Sequence, residues 1–145
     1  MSKRISLWCL SILLTAFLGG CSDSPSEPDR GTVDLQLVLS QSTVQSGERL
    51  AMRLAVTNHR SETVRLEVWG CMSNFQIYRG SDVVWDFAAL AICPQGTTQL
   101  EIPAGESRNF GASWIATTPG TYEARAQLLT GERMSSPSVS FRVEG

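Results

Sequence analysis

From Val33 onward the chain alternates apolar and polar residues with a period of two, and this constrains its fold more than any other feature. Val33, Leu35, Leu37 and Leu39 stand against Asp34, Gln36 and Val38. Leu50, Met52, Leu54 and Val56 are separated by Ala51, Arg53, Ala55 and Thr57; Val64, Leu66 and Val68 are separated by Arg65 and Glu67. Successive side chains of a strand point to opposite faces, so each run presents one face to a core and one to water, as in an antiparallel sheet. Phe75–Tyr78, Val83–Phe87, Gln99–Ile102, Arg108–Ile115, Tyr122–Leu129 and Val139–Val143 are further candidate strands. No stretch carries a 3.6-residue apolar period. The least regular region is Ala88–Thr98, where Ala88–Ala91 reads as a short helical turn or a loop.

Turn residues fall between the runs: Ser46-Gly47-Glu48, Asn58-His59-Arg60-Ser61, Arg79-Gly80-Ser81-Asp82, Pro103-Ala104-Gly105-Glu106, Pro119-Gly120 and Gly131-Glu132. Glycine supplies positive φ and proline presets φ, which is why these clusters end strands. Short strands with a turn every eight to twelve residues predict an all-β protein, an antiparallel β-sandwich of about seven to nine strands. A domain of this size hides about two-thirds of the surface its unfolded chain exposes. The residues expected inside are Leu35, Leu37, Leu54, Val56, Leu66, Trp114, Tyr122, Ala124 and Phe141. Tyr122, placed just after Pro119-Gly120-Thr121, suits a corner tyrosine whose hydroxyl ties a loop to the backbone.

The first twenty residues read as an export address. Lys3 and Arg4 precede an apolar stretch from Ile5 to Leu18, shorter than the ~20 apolar residues needed to span a bilayer. The stretch ends in Leu18-Gly19-Gly20-Cys21, which resembles the lipobox of bacterial lipoproteins: an aliphatic residue, two small residues, then the cysteine that is lipidated. The expected organisation is a signal peptide over 1–20, lipidated Cys21 with a flexible tether over 21–31, and a β-sandwich domain over 32–145. Ser22–Gly31 has no apolar residue except Pro25 and Pro28 and cannot pack. The resemblance implies a membrane-lipid partner through the acyl anchor and a place in the cell envelope. In a host with two membranes, Ser22 after the cysteine lacks the Asp that retains lipoproteins inside, so the outer membrane facing the periplasm is favoured. Loss of residues 1–20 removes Lys3 and Arg4, leaving a chain more acidic than the −2 of the whole, with no electrostatic basis for nucleic-acid binding.

Of the four cysteines, Cys9 leaves with the signal and Cys21 is the lipid site. Cys71 and Cys93 then remain as two thiols outside the cytoplasm, where pairing is the default. Their bridge would close about 22 residues, worth about 3 kcal/mol in the chain-entropy model. The spacing is far from Cys-x-x-Cys, and His59 cannot complete a zinc site by itself.

His59, the single histidine, sits in a polar turn and is expected to be solvated. No nucleophile elbow, P-loop, His-Glu-x-x-His or calcium-loop spacing occurs. Asp82 and Asp86 are the carboxylates closest to a glycosidase-like pair, and they read more simply as turn and strand-edge residues. No catalytic residue, metal or cofactor is expected, and the chain is not expected to be an enzyme. Trp69 is out of phase with Val64, Leu66 and Val68 and so faces outward; Tyr78 and Trp85 lie near the Gly80 hairpin. These three aromatics are the candidate partner-binding residues, the alternative being that they cover a sandwich edge.

The order of features from Leu50 to Leu129 resembles the BsuPI family of intracellular proteinase inhibitors. A strand ends in Val56-Thr57-Asn58, then come Val64–Val68, Phe75-Gln76-Ile77-Tyr78, the Gly80 turn with Val83-Val84-Trp85, Leu100–Ser107 containing Pro103-Ala104-Gly105-Glu106, then Trp114 and Pro119-Gly120-Thr121-Tyr122. The resemblance implies an immunoglobulin-like sandwich and proteinase inhibition. The chain departs from the family in Gly70–Phe75, in its Cys71/Cys93 pair and in its export signal, and the resemblance assigns no inhibitory residue. The expected function is a membrane-anchored extracytoplasmic binding module, an inhibitor of the BsuPI type with a proteinase as partner. The alternative is an accessory envelope lipoprotein that contacts other envelope proteins without inhibiting anything.

Overall fold

A computed structural model describes residues 32–145. The signal segment, the lipidation expected at Cys21 and the tether over 21–31 therefore lie outside the described residues. Two sheets pack face to face as an immunoglobulin-like sandwich. The smaller has three antiparallel strands in the order β1 (Val33–Leu39), β3 (Arg49–Asn58) and β7 (Ser107–Ile115). The larger runs β2 (Thr43–Gln45), β10 (Val139–Glu144), β8 (Gly120–Thr130), β4 (Val64–Arg79) and β5 (Asp82–Asp86). In it β6 (Thr97–Ile102) also pairs with β4, and β9 (Met134–Ser135) with β8.

The alternation read from sequence is the alternation that packs. In β3, Leu50, Met52, Leu54, Val56 and Asn58 are buried at every second position. Leu54 lies opposite Leu37 of β1 and Phe110 of β7, so one face of three strands meets the larger sheet. Phe75 and Ile77 of β4, Ala124, Ala126 and Leu128 of β8, and Phe141 and Val143 of β10 answer from the other side. Of the residues expected inside, Leu66 and Trp114 are only half-buried and pack at the rim of the core.

Four local expectations need correction. Val64–Val68 and Phe75–Tyr78 are not two strands but parts of one 16-residue strand, β4, whose register with β8 shifts between Val68 and Ser73. β2 pairs with β10 in parallel, so the larger sheet is not wholly antiparallel. The short strands β2 and β9 raise the number to ten. Phe87 does not end β5; it begins a four-residue helix, α1 (Phe87–Leu90).

Two ties hold the ends of the sandwich. Tyr122 donates its hydroxyl to the Thr118 carbonyl at 2.7 Å, the corner expected from its place after Pro119-Gly120. Its ring stacks on Phe141 at 5.6 Å and meets Trp114 at 5.5 Å, joining both sheets. At the opposite end Asn58 is fully buried. Its Nδ2 donates to the carbonyls of Glu62, Ile102 and Pro103, and its Oδ1 accepts from the Arg60 amide. Gly105, at φ +71°, takes the left-handed position of the Pro103–Glu106 turn and donates its own amide to the Asn58 carbonyl.

Candidate functional site

One edge of β4 has two successive partners. Val64–Trp69 pairs with β6, while Gln76–Arg79 pairs with β5. The stretch between them has no strand beside it. The connection from β5 to β6, residues 87–96, runs along this gap and is fastened to it at three points. The Ala88 amide donates to Asn74 Oδ1 at 2.9 Å. Cys93 is disulfide-bonded to Cys71, with Cα atoms 4.8 Å apart. The Gly70 amide donates to the Gly96 carbonyl at 3.2 Å.

The backbone of β4 is shaped for this. Gly70 has φ +52° and Met72 φ +63°. Two left-handed residues so close together break the period-two phase and swing the strand out as a bulge. Only Gly70 is a glycine; Met72 holds a conformation that non-glycine residues adopt in a few per cent of cases. Cys71 lies between them and is thereby presented to Cys93.

The start of the covering segment is set by Asp86. One carboxylate oxygen accepts from the Ala89 amide at 3.1 Å and caps α1; the other accepts from Gln76 Nε2 at 2.6 Å. Burial pushes the Asp86 pKa up, but hydrogen bonds from Gln76, Ala89, Asn74 and Ala88 outweigh it and hold the group below its ordinary value. Asp86 is therefore committed to structure. Phe87 turns inward, its ring edge-on to Phe75 at 6.2 Å.

The segment then leaves apolar side chains in water. Leu90 is 72% exposed and Ile92 is fully exposed. Trp69, at 55%, and Met72 stand out from the neighbouring bulge. Beside Trp69, where the register breaks, a recess of about 300 Å³ is lined by Trp69, Leu129, Thr130, Gly131 and Arg133.

The three aromatics singled out from sequence do not form one surface. Trp69 faces outward within β4, where its pairing with β6 stops. Tyr78 is on the same outer face nine positions further on, half-buried, with its hydroxyl on Gln76 Oε1 and the Arg125 guanidinium 4.5 Å over its ring. Trp85 is not with them. A register shift in β5 places Tyr78 opposite Val83 and Ile77 opposite Trp85, leaving Val84 as the extra residue. That bulge turns Trp85 to the inner face beside fully buried Ile77, where its ring packs near Phe87 at 6.2 Å. Leu90, Met72 and Ile92 were absent from the sequence expectation. The one signal for Ile92 is a β-branched apolar residue outside any alternating run, directly before Cys93-Pro94.

His59 lies in an exposed turn, its amide donating to the Thr32 carbonyl. Among the described residues no group of three or more His, Cys, Asp or Glu could hold a metal ion.

The profile of the BsuPI family, described as intracellular proteinase inhibitor, matches residues 37–133. No curated protein matches the chain. Among solved structures it is similar to Spo0M, a sporulation control protein from Bacillus subtilis, with TM-score 0.55 and 12% identity, covering 79% of this chain and 50% of that one. The chain thus spans half the length of Spo0M. It is also similar to a CARDB domain from Pyrococcus furiosus (TM-score 0.47, 10% identity, 78% of this chain and 88% of that one). A third likeness is to the alkylpurine DNA glycosylase AlkC of Pseudomonas fluorescens (TM-score 0.48, 14% identity, 78% of this chain and 30% of that one). At these identities the likeness concerns the fold alone.

Proposed function

The chain belongs to the BsuPI family of intracellular proteinase inhibitors, and from that premise we propose that it is an extracytoplasmic member, a lipid-anchored binding module that occupies the cleft of a proteinase. The family match over 37–133 carries the inhibitory reading, because it takes in the whole disulfide-braced end of the sandwich. Braced loops suit inhibition, because a segment already ordered loses little freedom on binding. The anchored location rests on Lys3, Arg4, the apolar run and Leu18-Gly19-Gly20-Cys21. In a host with two membranes the favoured place is the outer membrane, facing the periplasm. On this reading the domain binds its partner, and Asp86, one of the two carboxylates weighed from sequence, serves to cap α1.

The test is inhibition of a panel of proteinases by the full chain, with membrane fractionation of its host as the parallel measurement. Saturable inhibition of at least one proteinase and recovery with membrane lipids are expected. Inhibition of none would end the inhibitory reading.

A second reading has its own observation. Val83 and Val84 are about half exposed on β5, which ends the path of the larger sheet. An exposed apolar edge strand can accept a strand from a partner. On this reading the chain is an accessory envelope lipoprotein that contacts other proteins through β5 without inhibiting a proteinase.

A further inference from the structure

Resting on the inhibitory reading above, we propose that Ala91–Pro94 is the substrate-like segment that enters the proteinase cleft and that Ile92 fills the primary specificity pocket. The partner it fits is an endoproteinase whose pocket is apolar and accepts a branched aliphatic side chain.

The first observation is the placement of Ile92. Isoleucine ranks among the residue types most often buried, yet here its side chain is fully exposed. It stands on a covering segment whose aromatic residue, Phe87, is packed inward.

The second is the state of the backbone. Ala91 is extended, at φ −84° and ψ 149°. Among the described residues, the main-chain groups of Ile92, Cys93, Pro94 and Gln95 make no backbone–backbone hydrogen bond. Proteins that bind an extended peptide satisfy its main chain as an added strand and read its side chains in pockets. Ala91 holds the extended form, and Ile92–Pro94 beside it keep main-chain groups with no backbone partner among the described residues.

The third is bracing on both flanks. Upstream, the Ala91 amide donates to the Phe87 carbonyl at 2.9 Å, and α1 is capped by Asp86. Downstream, Cys93 is bonded to Cys71, Pro94 follows, and the Gly96 carbonyl is held by Gly70. Ile92 is therefore presented from a fixed base. The chemistry around it is uniform: no charged residue occurs from Phe87 to Leu100, and Leu90 and Met72 extend the apolar surface. Such a surface matches an apolar pocket and offers nothing to one that carries a carboxylate.

The disulfide also bears on cleavage. Hydrolysis of the Ile92–Cys93 peptide bond adds one water and gives a carboxylate on Ile92 and an amine on Cys93. The piece ending at Ile92 contains Cys71, and the other begins with Cys93. The two remain one covalent body through the bridge, with the new amine pinned to β4, so a cut inhibitor keeps its shape at the cleft.

The test uses the full chain with leukocyte elastase as the aliphatic-accepting probe and trypsin as the control. Ile92→Arg is expected to weaken elastase inhibition at least about 30-fold and to create trypsin inhibition, the behaviour of a central contact residue. Ile92→Gly is expected to weaken elastase inhibition and leave trypsin uninhibited. Equal unfolding midpoints for all three proteins show that the fold is intact. After long incubation with elastase, a fragment ending at Ile92 should appear only when the sample is reduced. If the parent inhibits elastase and both variants inhibit it equally well, the Ile92 assignment is overturned while the inhibitory reading stands. Scission elsewhere in the inhibited complex overturns it likewise. If the parent inhibits no proteinase of a broad panel, both fall together.

Discussion

The side-chain amide of Asn58 donates to the main-chain carbonyl of Ile102 at 2.9 Å, linking β3 to the end of β6 across 44 residues of sequence. With its bonds to Glu62, Pro103 and Arg60 it ties the turn after β3 to the turn after β6. Because Asn58 is fully buried and its bond to Ile102 is made away from water, removing its amide takes a buried donor from that carbonyl. Asn58→Ala is expected to cost at least about 2 kcal/mol, since each buried polar group left unpaired costs about 1–3 kcal/mol. Urea unfolding of parent and variant measures it.

Leu54→Ala empties a fully buried site between Leu37 and Phe110. The expected loss is about 2–5 kcal/mol. Ile92→Ala, on the exposed crest, is expected to stay within about 0.5 kcal/mol of the parent. Chemical unfolding of the two variants side by side checks the contrast, and a large loss from Ile92→Ala would contradict the placement of that residue.

Reduction of Cys71–Cys93 is expected to lower stability by about 3 kcal/mol on the chain-entropy account. Strand content should change little, because neither Cys71 nor Cys93 takes part in the ladders of β4 with β6, β5 and β8. Hydrogen exchange should rise selectively over residues 91–96, which keep the Gly96 fastening but lose the bridge, while Asn74, Asp86 and the Phe87 ring still hold residues 87–90. Thiol titration of the denatured, unreduced protein should find neither Cys71 nor Cys93 free.

Asp86 makes a pH-dependent contribution whose sign is fixed. Its pKa in the folded chain lies below the ordinary 3.8. The folded state therefore binds the proton more weakly than the unfolded one. Its contribution is present above 3.8 and is lost as the pH falls through the lower folded value. Asp86→Asn should be less stable than the parent near about pH 6, and the gap should narrow toward about pH 3. Unfolding midpoints across that range are the measurement.

Cys21 is expected to carry the lipid, with residues 1–20 absent from the mature chain. Intact-mass analysis of protein from the host membrane should give a chain that begins at Cys21 with acyl additions. An unmodified N-terminus, or residues 1–20 still attached, would contradict it.

The parts of the fold that were legible are those governed by periodicity. Leu50 to Val56 announce β3 because the strand has no irregularity and one wet face. Tyr122 announces its corner because the turn residues before it fix the chain's direction. The illegible parts are bulges and pairings that carry no period. Gly70 and Met72 reset the phase of β4, so one strand reads as two. Val84 resets the phase of β5, so Trp85, a candidate partner-binding aromatic by its place near the Gly80 hairpin, faces the core. β2 has three residues, too few for an alternation, and its parallel partner is almost a hundred positions away. Of the candidate site, the bridge was legible from the number of cysteines and from the export expected of residues 1–20. The exposure of Ile92 was not, because it depends on which edge of β4 the connecting segment covers.

The position of β10 has a consequence for biogenesis. Val139–Glu144 is an interior strand, between β2 and β8, and Phe141 on it stacks against Tyr122. Until residue 144 has been made, the Gly120–Ala124 flank of β8 is unpaired and β2 has no partner. The smaller sheet can assemble early, but it has nothing complete to pack on. A chain built this way closes its larger sheet only after β10 has arrived.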